Sequence, residues 1–456
     1  MAIVTPGVLP ASALVTRQRP AWLMQWAEFA NAMRYEDIPA EVVERTRLVM
    51  LDCLGAIIAG HAEPEVRAVR QRFRATHPGS SYLEAFSGGT AGTSLEIDEG
   101  NQYARGHPGI HVVPAVLAAA RKGVVSGRDA IVAITLGYEI GARIGIASKL
   151  RVTMHPHGTW GTVGAAVAVG KLHGATAADF AELINVASSL GLTTSRRTML
   201  EGATVRNTYA GFSNMLGMMA WELVQSGFKG EADGIGSVYG GIAADDWRPD
   251  EMTRDLGQRW EIARNYFKRH AACRYNHGAL DALAKIVADG GGHIDPAHIA
   301  AIKVETYVWA AQLDHPAPQT MLAAKFSMPF SLATFIVNGA ATVDAFRDDA
   351  RNDPATLALA AKVQVDELLD FTQRLPGQRP ARVTVCLTDG RTLAAEVMTN
   401  KGDSEDPYTA DEVVAKFIEV ASPSLGRPRC RSIVDATRAL EAAPSLTALI
   451  ELCEVA

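Results

Sequence analysis

Acidic and imidazole side chains are concentrated in one short stretch of this chain, residues 95–115 (LEIDEGNQYARGHPGIHVVPA). Three acids are followed there by an arginine and two histidines: Glu96, Asp98, Glu99, Arg105, His107 and His111. Glycines and prolines interrupt any regular element, and the apolar run VVPAVLAAA follows directly. Carboxylates and imidazoles in a loop beside a buried helix are suited to proton transfer. The stretch therefore predicts the centre of a proton-transfer site.

A second loop, HPHGTWG, carries His155 and His157 immediately before another apolar helix. Zinc binding is weakly indicated, because H-x-H has no third ligand nearby and the chain lacks H-E-x-x-H. A pair of hydrogen-bonded anchors is the simpler interpretation. Proton transfer or carboxylate binding is the third.

Cationic side chains further along the chain are candidates for binding an anionic substrate. Arg206, between Glu201 and Tyr209, could hold a carboxylate with two parallel hydrogen bonds, or could be an exposed arginine at a helix end. A basic cluster follows, which suits an anion in a cleft between domains unless it is only a solvated run of charge: Lys268, Arg269, His270, Arg274 and His277.

Two other reactive residue types have a structural interpretation. Cys273 lies in the basic cluster, but buried cysteines are usually inert, which disfavours a nucleophile. Lys325 and Ser327 come at the start of an apolar helix, where a serine is typically an N-terminal cap.

Length and composition limit the classes of protein. The chain has 456 residues, 48% hydrophobic and 21% charged, with a net charge of −6, so we expect two packed domains and no nucleic-acid partner. Five widely spaced cysteines without C-x-x-C favour reduced thiols and a cytoplasmic location. No signal peptide, membrane-spanning apolar run, dinucleotide fingerprint or G-x-S-x-G is recognised.

The elements that position these residues follow from periodicity. Residues 1–18 suggest an extended arm, and amphipathic and Ala-rich helices then continue to about residue 265. Residues 266–405 predict a smaller α+β unit, with a hairpin turning at Asp389-Gly390. Residues 406–456 are helical again, which suggests that the chain returns to the first domain. The predicted class is mainly α.

Several stretches, in this order, resemble the MmgE/PrpD family: LDCLGAIIAG, HPGIHVVPAVLAAA, GYEIGARIG, HPHGTWGTVGAAVAVGKL, YFKRHAACRYNHGALDAL, KFSMPFSLA and GDSEDPYTADEVVAKF. That family includes 2-methylcitrate dehydratase, cis-aconitate decarboxylase and iminodisuccinate epimerase. The resemblance implies a large all-helical domain built from both chain ends and a smaller α+β lid domain. It also implies an active site in the cleft, a homodimer, and neither metal nor organic cofactor.

The resemblance also assigns positions. The family's Asp-x-Asp-Asp-Thr motif falls on residues 96–100, its His-Pro on His107-Pro108 and its second histidine on His155. Its lid lysine falls on Lys268. Three positions depart from the family pattern, where threonine, lysine and tyrosine are replaced by Gly100, Arg206 and Phe330. Two hydroxyl groups of the family site are thereby missing, although Tyr103 or Tyr209 could replace them.

The shared chemistry of the family is a carbanion next to a carboxylate of a small di- or tricarboxylic acid. The expected catalytic residues are His107 and His155 as bases, Asp98 as an orienting group or base, and Lys268 as a stabilising cation. The expected substrate-binding residues are Glu96, Arg105, Arg206, Tyr209 and His277.

Without the two hydroxyls, the site has less means to protonate a leaving hydroxide, so epimerisation of an amino- or imino-dicarboxylate is the first expectation. Two histidines from separate loops would serve the opposite faces of one carbon. Dehydration of 2-methylcitrate or a similar hydroxy acid is the alternative. A catalytically inactive protein that binds small acids is the third.

Overall fold

The computed structural model describes residues 18–455, so the extended arm expected at the N-terminus lies outside the described residues except for residue 18. The protein is mainly α, as the sequence predicts. Up to residue 265 the helices are α1 Ala21–Ala32, α2 Ala40–Gly60, α3 Pro64–Thr76, α4 Ser81–Ser94, α5 Val113–Ala120, α6 Gly127–Ala147, α7 Gly161–Leu172, α8 Ala177–Ser188, α9 Arg197–Glu201 and α10 Tyr209–Gln225.

Sequence periodicity missed α4, because its sequence SYLEAFSGGTAGTS is rich in glycine and hydroxyl residues. Close packing explains the composition. A Cβ atom on Gly60 of α2 would lie 1.9 Å from the carbonyl oxygen of Ala91, and one on Gly89 would lie 2.7 Å from the Ala210 backbone of α10. Helix α4 is therefore held between α2 and α10. It ends at Ser94, directly before the loop that carries Glu96, Asp98 and Glu99, which we call the acidic loop.

Helix α6 corrects the expectation that no apolar run is long enough to span a membrane. It is 21 residues long and apolar enough, but 94% of its most apolar window is buried inside the protein. That burial is typical of the central helix of a globular core. The helical part also contains a short antiparallel sheet of β1 Ser148–Leu150 and β2 Ala244–Trp247, too short to be detected by periodicity.

The α+β part is a four-stranded sheet covered by helices. Its strands are β3 Ile299–Thr306, β4 Val363–Glu367, β5 Ala381–Leu387 and β6 Thr392–Val397, in the order β4-β3-β5-β6. Strands β5 and β6 form the predicted antiparallel hairpin, whereas β3 and β4 are parallel. The helices are α11 Arg274–Asp289, α12 Val308–Ala311, α13 Met321–Lys325, α14 Met328–Asn338, α15 Asp348–Arg351, α16 Pro354–Ala360 and α17 Leu369–Gln373.

The C-terminal helices are α18 Ala410–Leu425, α19 Arg427–Arg438 and α20 Thr447–Leu452. Their buried apolar side chains, including Val413 and Phe417, belong to the same hydrophobic cluster as most of helices α1 to α10. A second cluster is centred on the β3–β6 sheet and α14. The exception among α1 to α10 is α9, whose Met199 is buried in the second cluster. The two clusters meet near the acidic loop, since Leu95 and Ile97 pack into the second one. The boundaries near residues 265 and 405 stay a prediction.

Candidate active site

The acidic loop is fastened to the segment that carries Lys268. Gly100 and Tyr266 exchange two backbone hydrogen bonds of 3.0 and 2.7 Å. Within the loop, the Asn101 N–H donates to the Gly106 carbonyl at 2.8 Å. Glu96 and Arg105 take positive φ angles of 54° and 56°, which are unfavourable for residues other than glycine and are frequent at functional sites. The loop is thus a strained but well-held backbone at the junction of the two clusters.

His107 is oriented by two acceptors on one ring nitrogen. Its Nδ1 lies 2.6 Å from the Glu99 carbonyl oxygen and 3.0 Å from a carboxylate oxygen of Asp98. Since a carbonyl oxygen only accepts, Nδ1 carries the hydrogen and Nε2 is left for the cavity that His107 lines. Burial alone would raise the pKa of the Asp98 carboxyl, but the facing His107 and Lys268 hold it well below its ordinary value.

Lys268 and Arg206 neutralise Glu96, another acid of the loop. The Lys268 ammonium lies 3.1 Å from Glu96 and 3.3 Å from Asp98, and all three side chains are buried. Arg206 pairs with the second oxygen of Glu96. Burial opposes both charges, yet the carboxylates raise the pKa of Lys268, and Arg206 with Lys268 lowers that of Glu96. Glu96 and Lys268 therefore both stay charged in this buried ion cluster.

His155 stands beside Arg206 on the opposite side from Glu96. Its Nδ1 accepts the His157 backbone N–H at 3.1 Å, and its Nε2 lies 3.3 Å from Nε of Arg206. A neutral imidazole accepts at only one nitrogen, so these two bonds are alternatives. Burial, with the charge of Arg206 second, lowers the pKa of His155 well below its ordinary value. His155 is therefore held neutral.

The imidazoles form one continuous wall. The ring of His157 lies 4.8 Å from that of His107, 4.8 Å from that of His155 and 4.9 Å from that of His111, in edge-to-face contacts. Within residues 18–455, no three His, Cys, Asp or Glu side chains are arranged to hold a metal ion. The zinc interpretation of the H-x-H loop therefore gains no support.

Most of the predicted residues line a cavity of about 530 Å³, a volume that includes the open space at its mouth. Its lining includes five of them: Glu96, Arg105, His107, His155 and Arg206. Asp98 and Lys268 are fully buried behind this lining and reach it through His107 and Glu96.

Two further predicted residues, Tyr209 and His277, do not line this cavity. Tyr209 packs with its ring 5.9 Å from that of His155, and its hydroxyl lies 3.5 Å from that of Thr198. His277 is buried at the start of α11, where its Nε2 lies 3.3 Å from the Ala272 carbonyl. Both stand behind the wall of the cavity.

Residues at the start of α14 play structural parts. Ser327 caps the helix as expected, since its hydroxyl accepts the Phe330 N–H at 3.0 Å. Phe330 is buried in the second cluster and does not line the cavity. Lys325 is fully buried with its ammonium 3.5 Å from the Ser94 carbonyl, and this burial lowers its pKa to about 7.

Tyr266 is a cavity residue that sequence reasoning missed. A Cβ atom on Gly100 would lie 2.4 Å from the Tyr266 hydroxyl, so this hydroxyl fills the space that a side chain at position 100 would need. Its ring lies 6.1 Å from that of His107. Burial raises the pKa of Tyr266 well above its ordinary value, which keeps the hydroxyl protonated. The missing threonine hydroxyl thus has a substitute from another segment.

Comparison with known proteins identifies the class. The MmgE/PrpD N-terminal domain model matches residues 24–244, and the MmgE/PrpD C-terminal domain model matches residues 270–442. The chain belongs to the MmgE/PrpD family.

The relatives by sequence have lyase-type names. The chain is 25% identical to the cis-aconitate decarboxylase-like protein oryM of Aspergillus oryzae, over 93% of this chain and 96% of the relative. It is 24% identical to cis-aconitate decarboxylase of Aspergillus terreus (93% and 94% covered) and 23% identical to that of Homo sapiens (91% and 91%). These relatives do not support epimerisation in particular. The homodimer and the cytoplasmic location stay predictions.

Proposed function

We propose that this protein is a lyase that acts at the carbon next to a carboxylate of a small polycarboxylic acid. The observation that carries the proposal is His107, whose Nδ1–H donates to the Glu99 carbonyl beside the carboxylate of Asp98, while Nε2 is left for the cavity. An imidazole held in one tautomer by a buried carboxylate is an effective general base.

The first step is proton removal by Nε2 of His107. The imidazolium that forms is stabilised by the charged Asp98 at 3.0 Å. The electron pair left on carbon spreads into the adjacent carboxylate, where negative charge develops. Fixed cations in a site shielded from water favour this charge, and Arg206 on the cavity wall with Lys268 behind it are such cations.

Dehydration is the form of this reaction that Tyr266 favours. Its protonated hydroxyl lies beside the ring of His107 and can hydrogen-bond to a departing hydroxide, which takes the proton that His107 removed from carbon, so that the carbon–oxygen bond breaks, an alkene forms and water leaves. This observation removes the reason for preferring an epimerase, which was the absence of such a hydroxyl.

The low basicity of His155 is a second reason to favour a lyase. An epimerase needs two proton carriers on opposite faces of one carbon, and His155 is the partner expected for His107. Burial, with the charge of Arg206 second, lowers the pKa of His155, which makes it a poor base.

Decarboxylation is the second candidate, and the names of the relatives favour it. The same carbanion forms when the carbon–carbon bond to a carboxylate breaks and carbon dioxide leaves. His107, protonated beforehand, would then return a proton to carbon. No acid for a leaving hydroxide is required.

One panel of assays tests the proposal. The purified protein is incubated in deuterated water with 2-methylcitrate and cis-aconitate, and with single stereoisomers of amino-dicarboxylates. Conjugated-alkene absorbance, carbon dioxide release and deuterium on carbon are followed. We expect alkene from the hydroxy acid or carbon dioxide from the unsaturated acid. Exchange with loss of optical rotation alone would establish an epimerase instead, and thermal stabilisation without any exchange would establish a binding protein.

Variants connect the activity to the site. His107→Gln and Asp98→Asn should each lower kcat by about 100-fold or more. Tyr266→Phe should slow alkene formation about tenfold or more while deuterium exchange continues. The matched control is His293→Gln, because His293 is exposed on the loop before β3. Equal effects of the His107 and His293 variants would contradict the assignment.

A further inference from the structure

Besides Arg206, four arginines from separate segments line the cavity. We name them the arginine cluster: Arg105, Arg196, Arg274 and Arg379. The guanidinium carbons of Arg196 and Arg379 lie 5.9 and 5.5 Å from the ring centre of Tyr275. That of Arg105 lies 5.7 Å from the ring centre of Trp309.

The cluster is short of acceptors. Nitrogen atoms of all four guanidinium groups are buried without a hydrogen-bond partner among residues 18–455: Nε of Arg105, Nε and Nη2 of Arg196, Nε and Nη1 of Arg274 and Nε of Arg379. Arg274 pairs with Asp403. Within the same residues, no carboxylate lies within 4.0 Å of Arg105, Arg196 or Arg379.

The excess of guanidinium donors over acceptors destabilises the folded protein unless the cluster binds an anion. Arg274 and Arg379 are each only 3% exposed, so water compensates little for their unpaired nitrogens. The reacting end of the cavity differs, since the charges of Glu96 and Asp98 are matched there by Arg206 and Lys268. The cation excess of the site is therefore confined to the arginine cluster.

We propose that the arginine cluster binds the carboxylates of the substrate that lie away from the reacting carbon, and thereby selects tricarboxylates over dicarboxylates. Four guanidinium groups against the single carboxylate of Asp403 leave three positive charges. Besides the carboxylate at the reacting carbon, a tricarboxylate brings two carboxylates to the cluster and a dicarboxylate only one, so the tricarboxylate offsets more of this excess. The inference rests on the proposed function only for which carbon reacts.

The cluster is also ordered before an anion arrives. Tyr275 and Trp309 lie within 6 Å of three guanidinium groups, and the Arg379 Nη2 donates to the Gln102 carbonyl at 3.0 Å. Planar donors held in this way match the two oxygens of a carboxylate. Arg105 and Arg196 also line a neighbouring cavity of about 630 Å³, together with Lys149, Arg151 and Asp245.

Binding of unreactive acids tests the inference. Tricarballylate carries three carboxylates and neither hydroxyl nor double bond, and glutarate has the same five-carbon backbone without the middle carboxylate. Titration calorimetry of the full chain, at constant ionic strength and neutral pH, should give tricarballylate a Kd about tenfold or more below that of glutarate. Equal dissociation constants would overturn the inference.

Two variants locate the selectivity. Arg196→Met and Arg379→Met should each remove most of the preference for tricarballylate, with a smaller change in glutarate affinity. Arg391→Met removes the same charge from the hairpin turn, where the side chain is 73% exposed, and should leave both affinities unchanged. Arg196 is only half-buried, so its variant tests the cluster even if Arg379→Met does not fold. Equal loss for both acids in the two variants would contradict selection.

The outcome is separable from that of the lyase proposal. A protein that turns over none of the acids in the assay panel but still prefers tricarballylate, with the preference lost in Arg196→Met, would sink the lyase and support the cluster. A protein that releases carbon dioxide or alkene but binds both probes alike would support the lyase and contradict selection by the cluster.

Discussion

At the residue scale, the acidic loop divides its acids between two environments. Glu96 and Asp98 face cations and stay charged, whereas Glu99 points away into the core. One oxygen of Glu99 accepts the Gly109 N–H at 2.7 Å, and the other lies 3.1 Å from the Tyr138 hydroxyl. With no cation beside it, burial raises the pKa of Glu99 to about 8. Its backbone carbonyl is nevertheless one of the two groups that orient His107.

The raised pKa of Glu99 predicts a pH-dependent stability. The folded protein keeps this proton to about pH 8, whereas the unfolded chain loses it near the ordinary value of 4.5. The stabilisation is complete below that ordinary value and is lost as pH rises to about 8, by up to about 1.4 kcal/mol per pH unit. Glu99→Gln should remove this decline, which urea unfolding at several pH values measures.

The control for Glu99 is Glu419→Gln, on the exposed side of α18. It should leave the pH dependence of the free energy of unfolding as in the wild type. Parallel stability curves for the wild type and Glu99→Gln would show that Glu99 is charged in the folded protein.

At the element scale, helix α18 supports the acidic loop from behind. The Lys416 ammonium lies 2.5 Å from the buried carboxylate of Asp52 on α2 and 2.7 Å from the Ile97 carbonyl. The C-terminal helices therefore touch the backbone between Glu96 and Asp98. The last part of the chain contributes to the geometry of the site although none of its residues lines the cavity.

Breaking this support should destabilise the fold. Lys416→Met leaves Asp52 buried without its cation, and we expect a loss of about 3 kcal/mol in the free energy of unfolding. The double variant Asp52→Asn with Lys416→Met should recover a large part of the loss, because the unpaired charge is gone. Urea denaturation of the three proteins measures it. Additive losses in the double variant would contradict a direct ion pair.

At the scale of the whole molecule, both ends of the chain build one hydrophobic cluster. Phe417 of α18 is 2% exposed, and its ring lies 3.1 Å from the Cβ position of Gly55 on α2. The interface that closes the helical part is therefore formed by residues more than 350 positions apart in the chain.

Removing the Phe417 ring tests whether the C-terminal helix α18 packs against α2. Phe417→Ala should lower the free energy of unfolding by about 3 to 5 kcal/mol, through lost burial and the cavity that remains. Glu419→Ala lies on the same helix but is exposed, and it should change stability by no more than about 0.5 kcal/mol. Similar small effects of both substitutions, by thermal or urea unfolding, would mean that α18 does not pack into the first cluster.

Local patterns were enough to predict most elements and the centre of the site. Helical periodicity predicted the helical part up to about residue 265, which contains α2, α6 and α7, and Asp-Gly between two alternating runs located the β5–β6 hairpin, because these signals depend on neighbouring residues alone. The grouping of acids and His107 in one loop was equally local. Helix α4 was missed because close packing against distant helices, rather than propensity, selects its glycines.

Only the tertiary structure decided which side chains contact one another. Arg206 has the residue type of a free carboxylate clamp, but its partner is Glu96, more than 100 positions away. Gly100 suggests a missing hydroxyl, yet the Tyr266 hydroxyl occupies that space. The arginine cluster is drawn from four segments that no spacing rule connects. Residue types fixed which chemistry is available here, whereas the packing of distant segments set the partners and charge balance of each group.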